Sequence, residues 1–189
     1  MSYDLLQASC WTVVYIVAII YSIKYRTHII PAINILLNFG WEVTALLYWR
    51  RLIYLGWIIP DLIILVLFLM EERYDKKRNI RIVLESLGII IVYFVIFQNK
   101  NGTLYSSFAI DLVMAILFCI KIVRENVNIY NIGIGILKLI GDWAAWRYYR
   151  YDQVVDNIGI IVLIFNLIYV ILAIRGIIRK NEKKRTKAN

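Results

Sequence analysis

The sequence predicts an all-α fold, a polytopic transmembrane bundle of seven helices, on three observations. Hydrophobic residues make up 61% of the chain and its mean hydropathy is +0.68, against roughly 45–50% apolar residues in a soluble domain. The apolar residues come in stretches of about 20, the length that crosses a hydrocarbon core about 30 Å thick. Charges bound these stretches, and the 189 residues have room for seven of them with short links and no soluble domain between.

The first span is expected over 5–23. It follows MSYD, which lacks the positive start and small-residue cleavage pattern of a signal peptide, so the segment is expected to remain as a span. Lys24 and Arg26 separate it from a second span at 29–49, which Arg50 and Arg51 close. The third span, 52–70, contains Pro60, and a basic run from Arg73 to Arg81 leads into the fourth at 80–98. Lys100 precedes the fifth span at 104–123, which ends on Lys121 and Arg124. A sixth at 127–147 ends near Arg147 and Arg150, and the seventh, 157–178, runs into a basic tail. Residues 1–178 are therefore expected to form a single seven-span domain, with 179–189 as the tail.

Cytoplasmic loops carry the excess of Lys and Arg. One set of links holds Lys24, Arg26, Arg73, Lys76, Lys77, Arg78, Arg81, Lys121 and Arg124, and the tail joins it; the other holds Arg50, Arg51, Lys100, Arg147 and Arg150. The N-terminus is therefore expected outside and the C-terminus in the cytoplasm. The net charge of +9 then reflects orientation, and no nucleic-acid partner is expected. The tail from Arg175 to Lys187 suits stop-transfer and orientation, with attraction to anionic headgroups as the alternative. Cys10 and Cys119 lie in different spans without ligand spacing, so neither a disulfide framework nor a metal site is indicated. No nucleotide-binding, zinc or Ser–His–Asp motif occurs, and His28 lies at the cytoplasmic end of the second span. The first three spans compare poorly with the last three, against a transporter built from repeats.

Ionisable groups within a span are costly and usually face the bundle interior. Asn34, Asn38 and Glu42 recur every four residues on one face of the second span, with Trp41 beside Glu42. Such a stripe either joins helices by hydrogen bonds or presents an acid which, desolvated, is expected to keep a proton it can donate. On the third span Tyr54, Trp57 and Asp61 share a face, and Pro60 leaves the Gly56 carbonyl without its helical partner. Asp61 beside this kink is either functional or paired to a neighbouring helix. Lys138 and Asp142, four apart on the sixth span, are spaced to neutralise each other. Asp111 and Glu85 lie nearer span boundaries. At about 1.5 Å per residue, Glu42 and Asp111 come to roughly 10 Å from the outer end, Asp61 to about 15 Å, and Asp142 shallower. A pocket opening toward the outer half of the bilayer is expected if these faces meet. Trp49, Trp146, Tyr148 and Tyr149 suit an interfacial aromatic belt. Trp41 and Trp57 lie deeper, where they either pack the core or offer π faces to a cation.

NFGWEV at Asn38–Val43, followed by LGWIIPDLIIL at Leu55–Leu65, resembles the small seven-span integral membrane terpene cyclases of meroterpenoid and indole diterpene pathways. Size and span count agree along the whole chain. The resemblance implies protonation of an epoxide or alkene on a prenylated substrate, ring closure through carbocations and a final proton loss, with no metal or other cofactor. Glu42 and Asp61 would be the catalytic acids, and Trp41 and Trp57 would line the cation's path. Asn38, Asp111, Asp142, Asn166 and Tyr169 would complete the substrate site. One departure stands out: that family's last span carries an acid followed closely by Tyr, whereas FNLIY here has Asn166 before Tyr169. Either Asp61 or Asp142 takes the missing acid's role, or the chain is a relative without cyclase activity. The implied partners are the bilayer and a hydrophobic prenylated small molecule. Two other classes fit the same residues: a proton-coupled transporter cycling Glu42 and Asp61, and a non-catalytic partner whose Asn34–Asn38–Glu42 stripe binds another helix.

Overall fold

The structure is a computed structural model that describes residues 2–50, 52–70, 76–99, 101–124 and 127–188. Arg51, Arg73 and Lys100, which entered the charge comparison, lie outside the described residues, as do the side chains of Lys76, Lys77 and Arg78. Among the described residues the chain is all-α, with seven α-helices, one 3-10 turn and no strand.

Helix α1 (Tyr3–Tyr25) precedes Arg26, whose φ of 49° breaks the helical path. Helix α2 (Ala32–Trp49) starts three residues later than the apolar pattern suggests because Pro31 stands at its N-cap, where a missing N–H costs nothing. It ends where Arg50, left-handed at φ 54°, donates its backbone N–H to the Leu46 carbonyl at 2.8 Å. A 3-10 turn (Leu52–Tyr54) leads into α3 (Leu55–Leu69), which runs on through Pro60. Helices α4 (Lys76–Ile96) and α5 (Gly102–Arg124) follow.

Asn128 caps α6 (Ile129–Tyr149): its side chain accepts from the Tyr130 N–H, while Asn131 Oδ1 accepts from the Asn128 N–H, both at 2.9 Å. Helix α7 (Gln153–Ala188) starts where Asp152 Oδ1 accepts from the Val154 and Val155 N–H groups at 2.8 and 3.2 Å. Its 36 residues carry the seventh apolar stretch and the basic tail on one helix.

Each expected span falls on one of these helices. Three stretches, Tyr3–Tyr25, Gly102–Arg124 and Gln153–Glu182, are long and apolar enough to cross a membrane, and Leu55–Leu69 is apolar but shorter. Helices α2 and α6 dilute their apolar content with the polar residues they bury, Asn34 and Glu42 on one, Lys138 and Asp142 on the other. Besides an apolar core, the helices expose many large apolar side chains and bury several polar ones. Ile16, Ile20 and Ile23 on α1, Leu87, Ile91 and Val95 on α4, and Ile164, Leu167 and Ile171 on α7 are exposed, whereas Asn34, Asp61, Lys138 and Asn166 are 0–2% exposed. Apolar residues outside and polar ones inside are what a lipid solvent selects.

The helices group into two compact units, one of Met1–Val14 with Leu112–Asn189 and the other of Tyr15–Asp111, the divisions falling within α1 and α5. In the second, α2 packs on α3 and α4. Gly40 makes room there, since a Cβ on it would stand 2.5 Å from the Ile89 side chain. In the first, α6 packs on α7. A Cβ on Gly135 would meet the Tyr169 ring at 2.8 Å, and one on Gly159 the Trp146 ring at 2.3 Å. Small residues at such crossings let backbones approach where no hydrophobic effect drives association.

Two glycines two residues apart on α6 therefore predict opposite signs. Nothing lies within 4 Å of a Cβ on Gly133, so Gly133→Ala gains helix propensity and leaves stability unchanged or up to about 1 kcal/mol higher. Gly135→Ala overpacks Tyr169 and costs about 1–3 kcal/mol. Thermal unfolding of the two variants in the same detergent micelle checks both signs.

Candidate functional site

An amide nitrogen on α2 organises the second unit. Asn38 Nδ2 donates to Glu42 Oε1 at 3.0 Å and to Asp61 Oδ2 at 3.1 Å, and it also contacts the Tyr15 hydroxyl. Helical spacing sets Asn38 one turn from Glu42, while α3 brings Asp61 and α1 brings Tyr15 to the same point. Sharing one nitrogen holds the two carboxyl oxygens within about 6 Å of each other. The Tyr15 hydroxyl and both carboxyl groups thus meet around one amide nitrogen. Glu42 is 5% and Asp61 1% exposed.

Hydrogen counting shows what this cluster requires. Asn38 offers two N–H hydrogens and Tyr15 one O–H, while an ionised carboxyl only accepts. Glu42 Oε2 is buried, and no N–H or hydroxyl of the described residues donates to it. The two carboxyls therefore share one amide while one buried oxygen, Glu42 Oε2, is left over. One turn along α2, Asn34 is fully buried and both its amide atoms lack a partner among the described residues. The Asn34–Asn38–Glu42 stripe is accordingly turned inward.

Aromatic rings gather in the same unit. The Trp41 ring meets Phe97, Tyr54 and Trp49 edge-on at centroid distances of 5.7, 6.2 and 6.3 Å, and its Nε1 donates to Ser106 Oγ at 3.0 Å. Tyr54 stacks on Trp49 at 5.7 Å and lies 6.2 Å from Trp57. Trp57 and Asp61 are four apart on α3, so this cluster begins one helical turn from the acid pair. Trp49 belongs to the cluster as well as to the end of α2.

The first unit holds a carboxylate of a different kind. Asp142 Oδ2 takes the Lys138 ammonium, four residues back on α6, and the Asn166 amide at 2.7 Å. Its Oδ1 accepts from Trp11 Nε1 at 3.2 Å, and the Lys138 ammonium lies 4.9 Å from the centre of the Trp11 ring. The Lys138 side chain and two N–H donors thus occupy both oxygens of this carboxyl group. The amide at Asn166 follows, because a second acid there would repel Asp142 whereas Asn166 supplies an N–H. Tyr169, one turn further on, accepts from Asn131 Nδ2 at 3.3 Å and meets Phe118 edge-on at 5.3 Å.

Of the residues singled out in the sequence, Asn38, Glu42 and Asp61 come together, with Trp57 one turn away. Asp142 and Asn166 meet each other, and Tyr169 joins Asn131. Asp111 is half-buried on α5, and Glu85 pairs with Arg81 on its own helix at 2.6 Å. Tyr15 and Trp11 are not among the residues the sequence singles out, because an aromatic residue within an apolar run is ordinary. Their signal was the spacing of Trp11, Tyr15, Ala18 and Ser22 at intervals of four, three and four, a second polar face on α1. Compared with protein-family models, curated proteins and solved structures, the chain finds no match.

Breaking the Lys138–Asp142 pair strands a buried charge. Lys138→Met is expected to cost about 3–5 kcal/mol, and adding Asp142→Asn to recover most of that loss. A double-mutant cycle of thermal unfolding in micelles measures both terms.

Proposed function

We infer that the chain is a multi-pass membrane protein with seven spans, its N-terminus outside and its basic end cytoplasmic, that donates a proton to a hydrophobic substrate held within the bilayer. The reaction class is that of the membrane terpene cyclases: metal-independent protonation of an epoxide or alkene on a prenyl chain, followed by ring closure. The observation that carries this reading is the buried Glu42–Asp61 pair bridged by Asn38 and Tyr15.

In this mechanism the protonated member of the pair gives its proton to the epoxide oxygen, the C–O bond breaks, and successive alkenes attack the cation. Asn38 and Tyr15 hold the carboxylate that forms, as oriented donors that need no rearrangement. The ring faces of Trp57 and Trp41 offer π density to the positive centre. A final C–H gives its proton to a carboxylate, which restores the pair and makes the conversion an isomerisation. Asp142, whose oxygens are taken up by Lys138, Trp11 and Asn166, leaves the acid role to Asp61 and Glu42.

The inward face of the Asn34–Asn38–Glu42 stripe argues against docking of another helix on it. Proton-coupled transport, with Glu42 and Asp61 cycling a proton, is the second reading, on the burial of the same two acids. It predicts proton flux coupled to a solute across a vesicle membrane rather than a changed product.

With the terminal epoxide of a farnesylated phenol as probe and the protein in lipid nanodiscs, Glu42→Gln and Asp61→Asn are each expected to lower the cyclisation rate by about 10²–10⁴-fold while expression is kept. Trp49→Phe, which preserves a ring in the aromatic cluster, is expected to be mild. Product analysis by mass spectrometry and NMR reads the outcome. Cyclisation at full rate in both acid variants removes the pair from the mechanism.

A further inference from the structure

The acid pair lies at one level of a polar column within the Tyr15–Asp111 unit, and a second polar group lies at another. His28 is buried, its Nδ1 is 3.1 Å from Ser22 Oγ, and its ring lies 4.8 Å from that of Phe68. Ser22 comes seven residues after Tyr15 on α1, and Phe68 seven after Asp61 on α3. Seven residues are two turns, so both helices place the His28 level about 10 Å from the level of the acids and on the same face. Helix α2 runs back between these levels, and Asn34 precedes Asn38 by one turn, or about 6 Å. Asn34 therefore stands between His28 and the acid pair.

Asn34 is fully buried, as are Ile35 beside it in the chain, Ala18 on α1 and Ile64 on α3. Neither its Nδ2 nor its Oδ1 has a partner among the described residues. Buried amides keep their hydrogen bonds, with ordered water supplying them where protein does not. A water held by Asn34 has Asn38 one turn above it and the His28–Ser22 pair below. Beyond His28 the chain reaches the α1–α2 link, where Arg26 is exposed and Thr27 half-buried.

We propose that Asn34 holds buried water that connects His28 to the Glu42–Asp61 pair, so that the pair exchanges protons with the aqueous face at the α1–α2 link through His28. Each transfer moves one proton. The imidazolium gives it to water, water passes it to a carboxylate, and the neutral imidazole regains a proton from solvent; the reverse sequence discharges the pair. This deepens the reading of the acid pair as a proton donor and rests on it. The chemistry needs such a path whenever the proton lost from a cyclised product leaves by a route other than back to the pair.

The test follows the carboxyl C=O stretch of the full chain in lipid nanodiscs by infrared spectroscopy after a jump from H2O to D2O. Loss of the protonated-carboxyl band in Glu42→Gln or Asp61→Asn assigns it to the pair. Asn34→Leu and, independently, His28→Phe, which keeps a ring beside Phe68, are expected to slow deuteration of that band by about tenfold or more. Asn34→Ser, which can still bond water, is expected to retain the wild-type rate. Unchanged exchange in both Asn34→Leu and His28→Phe, with the band present, overturns the relay and leaves the pair intact. A wild-type spectrum without any band sensitive to Glu42 or Asp61 overturns the proton-holding pair and the relay together.

Discussion

Asn38 has two amide hydrogens, and three oxygens from three helices surround its nitrogen: the Tyr15 hydroxyl from α1, Glu42 from its own helix and Asp61 from α3. This contact fixes the face that α2 turns inward and the register of α3 against it. In hydrocarbon the alternative partners are few, because lipid offers neither donors nor acceptors and an unpaired polar group is costly. The two carboxyls are thereby drawn together without a cation between them. One hydrogen too few on the amide makes the cluster a stability problem, and the proposed chemistry rests on the same cluster.

The comparison with Asp142 shows how the same side chain is assigned different work by its neighbours. Asp142 meets Lys138, Trp11 and Asn166, which supply charge and hydrogens together. Glu42 and Asp61 share the Asn38 amide, which also contacts the Tyr15 phenol. A buried acid beside a counter-charge serves structure, whereas the proposed chemistry draws on a pair bridged by neutral groups. The aromatic cluster of Trp41, Trp49, Tyr54, Trp57 and Phe97 begins one turn from Asp61 and adds polarisable surface near the pair.

Most of the helical organisation was legible in the sequence because lipid imposes a simple length rule on apolar runs, and charges such as Lys24, Arg50 and Arg124 mark their ends. The late start of α2 depended on where Pro31 sits, which an apolar count ignores. The α2 stripe was legible from its period of four and the Lys138–Asp142 pair from its spacing. The Tyr15 contact was not, because a tyrosine in an apolar run is ordinary until another helix brings an amide to it. Asn166 read as a departure from an expected acid; its partner Asp142 lies 24 residues away, on a different helix, and only packing shows why an amide belongs there. The pairing of Glu42 with Asp61 is likewise a fact of helix packing, to which composition and period contribute only the inward faces.

The most direct test of the account is a distance at Asn38. Solid-state NMR of the chain in lipid bilayers, with 15N in the Asn38 side chain and 13C in the carboxyl groups of Glu42 and Asp61, measures whether one nitrogen lies beside both acids. The account predicts dipolar contacts to both carboxyl carbons. A contact to Glu42 alone would reflect helical spacing within α2 and nothing more, and it would contradict the bridged pair on which the proposed chemistry depends.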